Sequence, residues 1–163
     1  PITNTAPYAP TSENDCVDLE THADFLVRYY LLALASCVVK NVYWHQLIAP
    51  GYGLIDNREN KLVKYPAYTA FKTMLLQLKK SNFVNLKNDN GVYCATFENQ
   101  DDSKDIKKTE VFWSISDSID NNQPMNIDTK TQKLITRDGL EQNDTSFKIS
   151  GSPVYLITQS EHS

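Results

Sequence analysis

Between Phe25 and Val39 the only charged side chain is Arg28, and the apolar residues occupy nearly every side of a helical wheel. A helix of that kind has to be covered on most of its faces, so this run dictates packing inside a larger arrangement. One strand and one further helix are too little to cover it. The run is also too short for a membrane span, which needs about 20 apolar residues, and it lacks the charged flank and cleavage pattern of a signal peptide. Alone, such a segment is expected to expose an apolar patch and self-associate.

The segment that follows is the most informative about chemistry. Val42-Tyr43-Trp44-His45-Gln46-Leu47 reads as a short buried strand, and a glycine-punctuated loop runs from Ala49 to Asp56. A helix is predicted next, with Pro66 in its first turn and Tyr68, Phe71, Met74, Leu75 and Leu78 on one face. This is a βα unit whose strand end is polar and aromatic. In α/β folds ligands bind where parallel strands end, so such residues ask for a ligand. A pyranose fits: an indole can cover its C–H face, and amide or imidazole groups can bond its hydroxyls. Burying a few tens of Å² in this way is worth roughly 1 kcal/mol. Alternation along a strand puts Trp44 and Gln46 on one face, Tyr43 and His45 on the other. The plainer alternatives are that Trp44 plugs a core opening and His45 is a core histidine bonded to a backbone carbonyl. Asp56, beside an Asn and near glycines, is expected to fold its own loop.

After Lys80 the composition turns polar, and short alternating runs replace helical periodicity. Val92 to Phe97, Thr109 to Ile115, Phe147 to Ile149 and Val154 to Ile157 read as strands, with turns at Arg137-Asp138-Gly139 and Ser150-Gly151-Ser152-Pro153. Asn99 to Lys108 and Asp117 to Lys130 are expected to be loops. Several short strands with polar punctuation suggest a small antiparallel sandwich. Trp113 is expected in its core, the alternative being an exposed ring that would serve a carbohydrate-binding module.

A net charge of −4 gives no electrostatic reason for nucleic-acid binding. Cys16, Cys37 and Cys94 are too scattered for a disulfide framework, and no spacing suits a metal site, so neither metal nor cofactor is expected. Cys37 is expected in the core of the apolar helix. The acids Glu13, Asp15, Asp18, Glu20 and Asp24 crowd a helix start, where they complement the dipole and cap free N–H groups. With 163 residues the chain cannot hold a complete (β/α)₈ barrel of ordinary size.

The ordered blocks Thr5 to Glu13, Ala23 to Ser36, Val42 to Leu47, Gly51 to Asp56 and Tyr65 to Phe71 resemble the last part of a bacterial (β/α)₈-barrel glycoside hydrolase. The resemblance is to the clan of retaining enzymes that includes the cellulase-like and xylosidase-like families. It implies an α/β plus all-β fold: the C-terminal part of a TIM barrel, with its last strand and flanking helices, over residues 1–81, and a small antiparallel β-sandwich over 82–163. It further implies a glycoside, oligosaccharide or polysaccharide substrate, and a partner in the missing N-terminal part of the barrel. In that clan the nucleophilic Glu sits in a Glu-x-Asn-Trp-Pro-like segment whose final residue Pro1 matches, and the acid/base lies earlier. Retaining hydrolysis needs both carboxyls, about 5 Å apart. Neither is then expected in this chain, which alone would be inactive. The resemblance places an aromatic from the last strand beneath the sugar. Trp44 is the matching position, and His45 stands where relatives carry a second aromatic, so the role stays open between them. Gln46, Tyr52 and Tyr8 are the further substrate-binding candidates. The competing expectation is a non-catalytic carbohydrate-binding or interaction β-domain.

Overall fold

The computed structural model describes residues 17–58, 60–99, 107–115 and 124–159. Two helices and ten strands make up these residues. Helix α1 (Leu19–Ala35) starts at Asp18, whose carboxylate accepts the Thr21 N–H at 2.6 Å, the capping role expected of this acidic stretch. Its inner side buries Ala23, Leu26, Val27, Tyr30 and Leu31. Its outer side is left open, with Phe25, Tyr29 and Leu32 at 49%, 53% and 45% exposure. Cys37 does not lie in the core: α1 ends before it, and it sits exposed in the left-handed region at φ 57°.

The predicted strand over Val42 to Leu47 is not formed. A strand exists through a ladder to a neighbour, and here the Leu47 carbonyl is taken by the N–H groups of Leu54 and Ile55, which folds the segment into a turn. One isolated parallel bridge, Ile48 to Ile55, is all that results. Strands β1 (Ile55–Asp56) and β2 (Val63–Lys64) then pair antiparallel. Helix α2 (Pro66–Gln77) begins on Pro66 as predicted and buries Ala67, Ala70, Thr73 and Met74, whereas Leu75 faces outward.

The remaining strands are β3 (Ser81–Asp89), β4 (Val92–Asn99), β5 (Lys107–Ser114), β6 (Met125–Asn126), β7 (Gln132–Thr136), β8 (Glu141–Gln142), β9 (Ser146–Phe147) and β10 (Val154–Gln159). Six of them form one antiparallel sheet in the order β3-β4-β5-β10-β7-β8, and β6 pairs with β9. The expectation of a terminal TIM-barrel portion with its last strand and flanking helices is therefore overturned. The named ladders are antiparallel, the architecture is mostly β, and no parallel βα repeat of the kind a barrel requires is present among the described residues.

Side chains alternate across the large sheet. Ala95, Phe97, Val111, Trp113, Ile135, Tyr155 and Ile157 meet α1 and α2 in one apolar core. Phe112, Leu134 and Leu156 point the other way and form a second core with Ile127, covered partly by Met125 and Phe147 from β6 and β9. Trp113 is 0% exposed and stacks on Tyr93, ring centres 5.1 Å apart. It offers no face to a sugar. Of the expected loops Asn99–Lys108 and Asp117–Lys130, residues 100–106 and 117–123 lie outside the described residues, and Asn99, Lys107, Lys108, Met125 and Asn126 lie in strands. Among the described residues no helix is long and apolar enough to cross a membrane.

Beyond the shared core, several contacts tie sheet to helices. Gly139, in the turn after β7, has φ +88°, and a Cβ there would lie 2.9 Å from the Thr73 hydroxyl on α2. Beside it the guanidinium of Arg137, its side chain 5% exposed, pairs with Glu20 and Asp24 of α1 and with its neighbour Asp138. Arg137 also donates to the Glu20 backbone carbonyl at 2.9 Å. Ser152 donates to Asp24 at 2.8 Å, and Arg28 donates to the Gly151 carbonyl. A buried guanidinium is tolerated only with its donors matched in this way.

Candidate functional site

Because residues 42–47 turn instead of running straight, strict alternation does not hold, and Trp44, His45 and Tyr52 come together. Trp44 is half-buried, and its indole N–H donates to the Tyr52 carbonyl at 3.2 Å. His45 is exposed and its ring lies nearly parallel to that of Tyr52, 6.3 Å away and inclined by 18°. The peptide between His45 and Gln46 is cis. Gln46 is exposed and spends its amide N–H on the Ile48 carbonyl at 2.9 Å. Its carboxamide oxygen remains the side available to a ligand. Tyr8 and Cys16, with the acids Glu13 and Asp15, lie outside the described residues.

Helix α1 supplies the other side of Trp44. The His22 ring is 5.5 Å from the indole, tilted by 46°, and the Tyr29 ring meets it edge-on at 6.3 Å. Burial pushes the His22 imidazole below its ordinary pKa, and its Nδ1 is buried with no hydrogen-bond partner among the described residues. Burial also raises the Tyr30 phenol, with Tyr29 adding to the effect and the facing Trp44 backbone opposing it. A pocket of about 230 Å³ opens between these parts, lined by Tyr30, Val42, Tyr43, Trp44, Leu47, Leu54 and Phe71. Its wall is apolar apart from phenol and indole edges.

Neither His22 nor Arg137 stands among the residues expected at a site. The seven-residue spacing of His22 and Tyr29, two helical turns, is the sequence signal that puts both on one side of α1. Nothing comparable marks Arg137, whose partners on α1 are more than a hundred residues away.

The carboxylates nearby are committed elsewhere. Glu20, Asp24 and Asp138 pair with Arg137. Asp56 does fold its own loop: it accepts the Arg58 N–H at 2.9 Å, the Arg58 guanidinium, and the Tyr65 hydroxyl at 2.6 Å. Arg58 first, then Tyr65, holds its carboxyl well below the usual range. A general acid requires the opposite shift. Among the described residues no group of three or more His, Cys, Asp or Glu side chains is placed to hold a metal ion.

The chain matches no protein-family model and no curated protein. A solved structure, that of a family 39 glycoside hydrolase from the gut symbiont Bacteroides cellulosilyticus WH2, superposes with a TM-score of 0.62 at 20% identity over 83% of this chain. The chain spans 30% of that protein. The likeness is one of fold, and no barrel is formed among the described residues.

Proposed function

We infer that this chain contributes the aromatic side of a sugar site to a glycoside hydrolase of the retaining, two-carboxylate type. Trp44 packs on the apolar face of a pyranose, Tyr52 and His45 extend that surface, and the Gln46 carboxamide oxygen accepts a sugar hydroxyl. The observation that carries this reading is the Trp44 indole, pinned to the Tyr52 carbonyl and bracketed by His22 and Tyr29 beside a pocket, within a fold shared with a glycoside hydrolase. The attacking and protonating carboxyls come from outside the described residues, because the acids at hand are tied up in ion pairs or capping. The open side of α1, with Phe25, Tyr29 and Leu32, is where the rest of such an enzyme packs.

The test is an assay of the chain on a panel of aryl glycosides, with parallel titration by cello- and xylo-oligosaccharides. The expected result is no turnover, with weak binding that disappears in Trp44→Ala. Turnover abolished by replacing an acid of this chain, or binding indifferent to Trp44, overturns the reading.

A further inference from the structure

We propose that Arg137 is a positioning residue for the aromatic cluster at Trp44, acting through α1. This rests on the reading of Trp44 as a sugar contact for its functional meaning, though not for its geometry. Glu20 and Asp24, one helical turn apart, face the sheet and are gripped by the Arg137 guanidinium. His22 and Tyr29 project from another side of the same helix and bracket the Trp44 indole. Ser152 holds the Asp24 oxygen that Arg137 also holds, and Arg28 donates to Gly151, so the grip is repeated along the helix. A helix moves as a rod. Rotating or sliding α1 at its sheet-facing acids carries His22 and Tyr29 with it, and the indole loses the walls that fix its plane.

Arg suits this role where Lys does not, because the planar fork serves several oxygens at once while an ammonium is a point donor. The partners are also spread over three residues and a backbone carbonyl: Glu20 carboxylate and carbonyl, Asp24, and Asp138. The turn bearing Arg137 is itself fixed on α2 by the close approach of Gly139 to Thr73. The β-rich half thereby sets the geometry of a site whose described pocket lining comes from residues 30–71.

The experiment follows the two tryptophan indole N–H signals and the His22 ring by NMR in the full chain, with Trp44 assigned through Trp44→Phe. In Arg137→Gln the Trp44 signal shifts, the His22–Trp44 ring contact weakens, and the His22 titration midpoint rises toward that of a free imidazole, while the buried Trp113 signal stays in place. Affinity for cello- and xylo-oligosaccharides falls about fivefold, the loss expected when one stacking geometry is spoiled. Arg137→Lys gives intermediate values. A role confined to stability lowers the unfolding midpoint yet leaves the folded-state Trp44 and His22 signals unmoved, and that result overturns the proposal. Should Arg137→Gln fail to fold, Ser152→Ala removes a single hydroxyl from Asp24; movement of the same signals supports the proposal, and wild-type positions for both overturn it. Absence of any oligosaccharide binding by the wild-type chain would sink the sugar-site reading alone, since the indole and imidazole signals are read without a ligand.

Discussion

Nη1 of Arg137 lies 2.6 Å from the Asp24 carboxylate across 113 positions of sequence, with the arginine side chain 5% and the aspartate side chain 13% exposed. A pair so far from water behaves differently from a surface ion pair. Attraction is strong there, and a charge left without its partner is heavily penalised.

Asp24→Ala is accordingly expected to lower the stability of the chain by about 1.5–3 kcal/mol, since Glu20 and Asp138 still pair with Arg137. Glu20→Ala should cost less than about 1 kcal/mol, since the Glu20 side chain is 66% exposed and its pair is screened. Urea unfolding midpoints for the two variants check the ranking, and equal losses would contradict it.

The two tryptophans are expected to separate cleanly. Trp113→Ala opens the core between the sheet and the helices and should cost about 3–5 kcal/mol. Trp44→Ala, at a half-buried position, should keep the secondary structure while removing oligosaccharide binding. Circular dichroism melts and a titration of each variant are sufficient.

His22 gives a pH signature. Its folded pKa is depressed by burial, so below the ordinary imidazole value of about 6.5 the unfolded chain binds the proton more readily than the folded one. Stability contributed by His22 is therefore whole above that value and declines as the pH falls toward the folded pKa. The fall in stability below about pH 6.5 should flatten in His22→Asn. An unchanged slope would mean that the imidazole is not buried against Trp44.

Gly139→Ala should destabilise by at least about 1 kcal/mol, from its φ of +88° alone. Further loss comes from the Thr73 hydroxyl 2.9 Å from the new methyl. Adding Thr73→Ala should recover the steric part and leave the conformational part, which a double-mutant cycle on unfolding free energies would resolve.

The open side of α1 predicts concentration-dependent association of the isolated chain. Replacing Phe25 and Leu32 by Lys should reduce it without lowering the melting temperature by more than a few degrees, because both side chains face outward. A wild-type chain that sediments as a monomer at all concentrations would contradict this.

Local chemistry was legible in the sequence where a rule of short range decides the outcome. Asp18 caps α1, Pro66 opens α2, and the runs around Val92, Thr109 and Val154 are strands. Strand β3 was hidden by its polar composition, yet Asn90-Gly91 between Asp89 and Val92, with φ values of 50° and 85°, is a two-residue hairpin turn of the kind that dipeptide favours. The barrel expectation failed on a matter of long range. Val42 to Leu47 has the composition of a buried strand, but composition does not supply the neighbour that a ladder needs. Trp44, His45 and Tyr52 were identifiable as aromatic and polar residues beside glycines; their convergence through a turn was not, and the grip of Arg137 on α1 depends on tertiary proximity that no spacing encodes.

Strand β10 lies between β5 and β7, in the middle of the six-stranded sheet, although it follows every other described strand in chain order. During synthesis the β3-β4-β5 meander and the β7-β8 hairpin must wait as separate edges until residues 154–159 leave the ribosome and zip them together. Arg137 rides on the later of those pieces, so the anchor that α1 receives joins the meander only once β10 is in place.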